Sequence, residues 1–344
     1  KDFRILCLEE PEAHLHPAMQ YKLFKFLRNL DEENKLNQQI FVTTHSSNIS
    51  AVAGIDNMFM LDYCRLDDGS ECCQQSLEEH FADKENAKKH LTKFLDVTRS
   101  DMLFADKVIL VEGIAEKLLL PLFMEKCNCS YEDAHISIVE IGGKHFEHFI
   151  ELFNGNAVNK KVLCITDNDF PWIEDNILKS IADYTQHEGA RHIKKLNDLF
   201  PIDNFSLVSQ LLGGQTFEDE LFLVNTDNSD VAESLLKIVL PDCLSEFTDT
   251  YGLDFAQWVS NQGAISNAKT KKKIGDMISI FQTAVASDIA NTAKYHNFFF
   301  AQLFLGYAKK RKGDVALSIL SNEDLAAKIT VPSYIKEGLE WLSK

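Results

Sequence analysis

No apolar run in this chain of 344 residues approaches the roughly 18 needed for a membrane-spanning helix, and no secretory leader opens it. A helical membrane protein is therefore excluded, and a cytoplasmic location is expected. Positive charge is scarce: 35 Lys and Arg against 52 Asp and Glu leave a formal net charge of −17. Bulk attraction to nucleic acid is excluded by sign, so any such partner needs a local basic groove or metal ions among the acidic groups. The eight cysteines include Cys72-Cys73 and Cys127-x-Cys129 but no CxxC pair, which argues against a zinc ribbon and for reduced thiols. Internal repeats and low-complexity tracts are missing, as is a GxxxxGK[ST] phosphate loop, so the chain by itself lacks the backbone cradle for a nucleotide. It begins at Lys1 without a methionine, and we expect a piece of something longer.

What is present is 45% hydrophobic content, enough for two or three domains with their own cores. FRILCL (residues 3–8) reads as a strand, and Pro17 opens an amphipathic helix through MQYKLFKFLRNL. QIFVTTH (39–45), a Ser-Ser-Asn cap and MFMLDY (58–63) continue the alternation, which predicts a parallel sheet flanked by helices. RLDDGSECCQQS (65–76) reads as an exposed connection, and a charged helix over about 83–95 leads into a second α/β block. There KVILVE (107–112), a helix from Ala115 to about Lys126, ISIVEI (136–141), a helix over 145–153 and KVLCITD (161–167) follow in turn. After about Thr226 only long helical segments remain. The basic run KTKKK (269–273) reads as a solvated helix end rather than a DNA contact.

Two constellations carry chemistry. LEEPEAHLHP (8–17) ends a strand in Glu9 and Glu10, delivering two carboxylates to the carboxyl edge of a parallel sheet, where open α/β folds bind ligands. Adjacent strand residues point opposite ways, so one can hold a metal while the other polarises a water. An acidic cap on the following helix and an HxH metal site from His14 and His16 are the competing readings. The second constellation is VEGIAE (111–116), with Glu112, a glycine for a tight turn and Glu116 one turn into a helix, together with Asp167 and Asp169 at the tip of another strand. Several carboxylates at one sheet edge repel unless a divalent ion sits among them, which makes a hard-metal site the economical reading. No tyrosine stands near this acidic cluster in sequence as a nucleophile.

Residues 8–17 resemble the Walker B and D-loop segment of ABC-type ATPases related to RecF and SMC proteins, and TTHSS (43–47) is similar to their switch-histidine loop. That resemblance implies Glu9 on Mg²⁺, Glu10 as general base and His45 at the γ-phosphate. Their signature segment and phosphate loop do not precede this strand. VEGIAE, EIGGKHFEHF (140–149) and KVLCITDND together resemble a Toprim domain, and the succession of the two resembles the OLD (overcoming lysogenisation defect) family of ATP-dependent nucleases. QTFEDEL (215–221) is similar to that family's acidic segment, which implies Thr216, Glu218 and Glu220 near the metals. KRKGDVALSIL (310–320) resembles its lysine-glycine segment, which nominates Lys312 as the catalytic cation.

The resemblance implies an α/β chain: the C-terminal part of an ABC/SMC-like ATPase lobe (1–98), a Toprim nuclease domain with a parallel sheet (99–225), a helical region (226–308) and a segment returning Lys312 to the Toprim site (309–344). It implies two Mg²⁺ or Mn²⁺ ions on Glu112, Glu116, Asp167, Asp169 and Glu218, with ATP used by the full-length protein. It also implies cleavage of DNA, self-association as a homodimer or higher homo-oligomer, a role in phage defence or repair and a defence-system partner protein. A non-catalytic Toprim scaffold in an SMC-like complex and a primase or topoisomerase relative are the alternatives.

Overall fold

The computed structural model describes residues 4–32, 38–66, 69–95, 97–129, 135–143, 145–154, 158–187, 191–200 and 203–344. It is a mixed α/β chain that becomes wholly helical toward its C-terminal end. Two compact units are formed, one from residues 1–110, 132–162 and 200–205, the other from 111–131, 163–199 and 206–344. No helix among the described residues is long and apolar enough to cross a membrane.

In the first unit, β1 (Arg4–Glu9) lies parallel to β2 (Gln38–Thr43), with α1 (Pro17–Glu32) as the crossover and α2 (Ser47–Ala53) following. Glu9 pairs with Thr43, so the two motif-bearing loops leave the same end of the pair. Ser46 caps α2, its hydroxyl accepting from the Ile49 N–H. The predicted third strand exists as β3 (Phe59–Leu66), but it pairs antiparallel with β4 (Gly69–Ser76). Gly69–Ser76 of that stretch is therefore a strand paired with β3 and not a loose connection. It was hard to read because its polar residues offer no apolar alternation, although Asp-Asp-Gly is a turn signal. The side chains of Cys72 and Cys73 lie outside the described residues. Cys7, Cys127, Cys129, Cys164 and Cys243 are free thiols.

The same unit continues through α3 (Leu77–His80), α4 (Glu85–Phe94) and α5 (Val97–Ser100) into β5 (Lys107–Val111). After α6 (Ile114–Lys126) come β6 (Ile136–Glu140), α7 (Phe146–Phe153) and β7 (Lys161–Ile165), each within two residues of its predicted bounds. A small hairpin, β8 (Ile173–Glu174) and β9 (Ile177–Leu178), precedes α8 (Ile181–His187), α9 (Arg191–Leu199) and β10 (Phe205–Val208). The main sheet has the order β10-β7-β5-β6. Val162 N–H donates to Asn204 C=O and Thr166 N–H to Val208 C=O, an equal advance on both strands that marks β7 and β10 as parallel. Val108–Val111 and Val162–Ile165 are almost fully buried, the continuous apolar pattern of strands covered on both faces.

The second unit, to which α6, β8, β9, α8 and α9 also belong, continues with α10 (Phe217–Val224), α11 (Ser229–Val239), α12 (Asp242–Tyr251), α13 (Phe255–Asn261), α14 (Ala268–Ser287), α15 (Thr292–Ala308), α16 (Lys312–Leu320), α17 (Glu323–Lys328) and α18 (Ser333–Ser343). Helix α15 is apolar nearly all round and is its centre, with Phe298, Phe299, Phe300, Leu303, Phe304 and Leu305 buried. It packs on α10, where Phe304 stacks on Phe222 at 5.4 Å. Helix α16 packs on α6. Helix α18 approaches β7 and β10 so closely that a Cβ at Gly338 would stand 2.9 Å from a Leu163 methyl. These three contacts fix the helices that carry the candidate site. The run KTKKK opens α14, with Asn267 as its cap.

Candidate functional site

The acidic site of the second unit is assembled from the ends of β5 and β7, the first turns of α6 and α10, and the start of α16. Glu112 stands one residue past β5, and its Oε1 accepts from the Thr166 hydroxyl and, at 2.9 Å, from the Asp167 N–H. That pair of bonds ties the ends of β5 and β7 together. Asp167 is 7% exposed, and its Oδ1 accepts from Gln210 Nε2 at 2.7 Å and from the Phe217 N–H at 2.9 Å. One oxygen of each carboxylate is thus spent on the scaffold. The other is left for a cation.

Glu116 is 2% exposed, and its Oε2 is buried without a hydrogen-bond partner among the described residues. Gly113 has extended backbone (φ −137°), so it is not the tight-turn residue that the sequence suggested. A Cβ there would sit 3.0 Å from Glu116 Oε2, so the glycine makes room for the carboxylate. Burial, then the neighbouring charges of Glu218 and Glu112, push the Glu116 carboxyl up to about 7. The same causes, burial first and then Glu116, Glu112 and Glu218, hold Asp167 well above the usual carboxylate range.

Helix α10 begins with a capping box: the Thr216 side chain meets the Asp219 N–H, and Asp219 Oδ1 accepts from the Thr216 N–H at 2.8 Å. Glu218, also 2% exposed, accepts from the Thr216 hydroxyl at 2.7 Å and pairs with Lys312 Nζ at 2.9 Å. Burial alone would lower the Lys312 ammonium, but Glu218, Asp167 and Glu116 outweigh it and hold the charge above its ordinary range. Residues 4 to 200 positions apart in sequence therefore share one electrostatic neighbourhood, with Lys312 as its cation.

Three further expected residues make contacts of their own. Glu220 gives Oε1 to the Leu211 and Leu212 N–H groups at 2.9 and 2.6 Å and Oε2 to Gly214 N–H at 2.6 Å, so it fastens the 211–214 loop. Thr216 positions Glu218 and caps the helix. Asp169 is half-buried at a left-handed residue (φ 55°), its N–H donating to Gln215 C=O at 2.7 Å. Because β7 ends at Ile165, strand alternation no longer governs where Asp167 and Asp169 point.

Sequence reasoning missed four residues here. Gln210 aligns Asp167, and Thr166 aligns Glu112. Gln302 of α15 supports Asp219, donating to Oδ2 at 3.1 Å. Tyr334 is buried within reach of the charges of Asp167 and Glu116, a tyrosine near the cluster in space though not in sequence. Burial and those carboxylates push its phenol well above the ordinary value, which withholds it as a nucleophile. No sequence motif announces any of the four.

The donor set fits a hard divalent cation: oxygen ligands only, an orphaned buried carboxylate oxygen, and mutual repulsion that a cation would relieve. Glu112, Glu116, Asp167 and Glu218 are the residues that would hold it.

The edge of the first unit is built differently. Strand β1 ends at Glu9, and Glu10 follows in a left-handed turn (φ 40°), its N–H donating to Thr43 C=O at 2.9 Å. The two carboxylates are thus separated by a turn and not by strand alternation. His45 Nε2 lies 3.5 Å from Glu10 Oε1. Glu12, which the sequence reading passed over, holds the histidine loop: its Oε1 accepts from the Thr44 hydroxyl and from the His45 N–H at 2.9 Å. Gln20 of α1 accepts from the Ser46 hydroxyl at 2.8 Å and from Asn48 Nδ2 at 3.2 Å. Together they line an open cleft of about 380 Å³. His16 caps α1 instead of forming an HxH site, its Nδ1 accepting from the Ala18 N–H at 3.3 Å.

Residues 1–50 match the AAA ATPase domain family, and residues 103–169 match the family described as overcoming lysogenization defect protein-like, TOPRIM domain. The chain therefore carries an OLD-like Toprim domain and part of an AAA ATPase domain. Its relatives include the endonuclease GajA of Bacillus cereus (strain HuB5-5), 26% identical over 99% of this chain and 48% of that protein. They also include the Old nuclease of Escherichia phage P2, 26% identical over 49% of this chain and 28% of that protein. The chain thus spans about half the length, or less, of the curated relatives it matches. Among solved structures, the C-terminal region of the Burkholderia pseudomallei OLD protein aligns with a TM-score of 0.40 at 19% identity, covering 70% of this chain and 97% of that one. Toprim nucleases and AAA ATPases generally use a divalent metal and ATP.

Proposed function

We propose that this chain is the Toprim-bearing part of an ATPase-coupled DNA endonuclease. The observation that carries this reading is that Glu116, Asp167 and Glu218 share one electrostatic neighbourhood with the ammonium of Lys312, while Glu112 is bonded to the Asp167 N–H beside them. Bound divalent cations, two Mg²⁺ or Mn²⁺ in our reading, would supply Lewis-acid stabilisation of charge on a phosphodiester and a deprotonated water. The chain's own groups hold that arrangement. Glu112, fastened to the β7 end, and Asp167, aligned by Gln210 and the Phe217 N–H, present fixed oxygens. Glu116 keeps a free oxygen in a buried position and takes a proton when no cation is present. Lys312, positioned by Glu218, offers positive charge to developing phosphoryl charge. Asp169 belongs to the proposed ligand set as an outer member. Tyr334 keeps its proton, which favours hydrolysis over transfer of a strand to tyrosine.

At the other edge Glu9 would hold Mg²⁺, Glu10 would accept a proton from water, and His45 would meet a γ-phosphate once a phosphate loop completes the site. The relatives' names, endonuclease and nuclease, support a nucleic-acid substrate, which we take to be DNA. We extend the same reading to the division at residues 98, 225 and 308, to homo-oligomerisation, to a defence or repair role and to a partner protein. The test is conversion of supercoiled plasmid to nicked or linear DNA with Mg²⁺ or Mn²⁺. Wild-type cleavage and its loss in Asp167→Ala are expected; equal cleavage by the variant overturns the assignment.

A further inference from the structure

We propose that His90, His145 and His148 form a binding site for a borderline transition-metal ion of the Zn²⁺ class, separate in composition from the carboxylate site. His90 lies on α4, His145 is the residue before α7, and His148 stands one turn further along α7. One donor nitrogen from each lies within 4.8 Å of the other two. The ring centroids of His90 are 4.3 Å from His148 and 5.1 Å from His145, while His145 and His148 lie 6.2 Å apart and nearly coplanar in orientation. Nδ1 of His90 is buried with no hydrogen-bond partner among the described residues. Such an orphan ring nitrogen is costly to leave bare and needs a ligand to meet it.

The chemistry of the donors selects the ion. Three imidazoles contribute no negative charge and no oxygen, so Mg²⁺ and Ca²⁺ gain little there, whereas Zn²⁺, Ni²⁺ and Cu²⁺ favour this set. Three protein ligands leave a further position open, and the exposure of His145 turns it toward solvent. Bonds of about 2.0–2.1 Å from one ion require donor separations of roughly 3.4 Å. No pair therefore has to close by more than about 1.4 Å, within the reach of ring rotation about soft χ2 torsions.

Closure costs part of the stacking of His90 on Phe94, whose centroid is 4.3 Å away. In return, one ion bonds two helices. Residue 90 is joined to the pair at the start of α7, just after the Gly142-Gly143 turn that follows β6, so an occupied site clamps α4 onto α7. The inference does not rest on nuclease activity, because its readout is binding.

The experiment is calorimetric titration of the full chain with Zn²⁺ in excess Mg²⁺, paired with Co²⁺ absorption spectra. One equivalent of Zn²⁺, with the visible bands of low-coordinate Co²⁺, is expected. His145→Ala and His148→Gln should each weaken that equivalent at least about 100-fold. His145 is exposed, so its variant keeps the wild-type metal-free circular dichroism and melting temperature and separates ligand loss from misfolding. Unchanged stoichiometry and affinity in both variants overturns the proposal. So does a wild-type chain that takes up no Zn²⁺ in excess Mg²⁺, or an equivalent lost in Asp167→Asn and kept in His145→Ala.

Discussion

At the end of β1, Glu10 and His45 keep 54% and 83% of their side chains exposed, whereas past β5 and at the start of α10, Glu116 and Glu218 keep 2% each. The sequence signal is the same at both places, a strand running into a carboxylate at the sheet edge. The burial is opposite. An exposed pair can wait for a nucleotide at little cost, because water screens it. A buried cluster must take protons, an ammonium or divalent ions, and Glu116 and Lys312 show the first two of these responses.

That contrast can be broken at Lys312. Replacing it with methionine leaves the Glu218 carboxylate buried without its cation and removes positive charge from the proposed phosphodiester site. Plasmid cleavage should fall on the order of 10²–10³-fold. Cleavage within a factor of two of wild type would make Lys312 a packing residue only.

Proton linkage sharpens the contrast next. Glu116 rises from its ordinary 4.5 to about 7, and Asp219, buried and only partly compensated by the Gln215 and Thr216 N–H groups, rises from 3.8 to about 7. Both folded-state values lie above the unfolded ones, so the folded chain binds more protons across that window. These two groups' contribution to stability is therefore greatest below about pH 4 and is lost as pH rises through about 7. Urea midpoints in chelator should fall between pH 5 and 8. Glu116→Gln should flatten part of that slope, and Mn²⁺ should restore the midpoint at pH 8. A wild-type slope that survives in Glu116→Gln and ignores Mn²⁺ would place the proton uptake elsewhere.

A steric test follows, smaller in effect. A Cβ at Gly214 would stand 2.5 Å from Glu220 Cβ and 2.7 Å from its backbone nitrogen, inside the loop that Glu220 fastens. Gly214→Ala should cost about 1–3 kcal/mol in chemical denaturation. An unchanged midpoint would mean that the loop yields freely.

The positions of Glu112 after β5, Glu116 in the first turn of α6 and Asp167 after β7 were legible because strands and helices alternate at the expected lengths, whereas Glu218 and Lys312 were nominated by the family resemblance alone. The roles of Glu220 and Gly113 were not legible. Carboxylate type and spacing say nothing about which backbone N–H groups a side chain will meet, and a glycine kept for space looks the same as one kept for a turn. Gln210 and Tyr334 were hidden for a related reason, since their partners lie 43 positions or more away and only the packing of β10 and α18 on β7 brings them in. Strand β4 was missed because GSECCQQS offers no apolar alternation in sequence. The histidine cluster joins two segments more than 50 residues apart, with no local spacing to reveal it.

The smallest expected effect lies at the exposed edge. Glu10 sits in a left-handed turn with its side chain mostly in water and a 3.5 Å approach to an exposed histidine, an ion pair of the kind that contributes little. Glu10→Gln keeps the size, the backbone N–H bond to Thr43 and the fold, so stability should stay within about 0.5 kcal/mol of wild type. Glu116→Gln, the same chemical change in the buried cluster, should instead raise metal-free stability at pH 8, because an amide need not hold a charge among carboxylates. If the two substitutions shift the denaturation midpoint by the same amount, burial is not what distinguishes the two carboxylate edges.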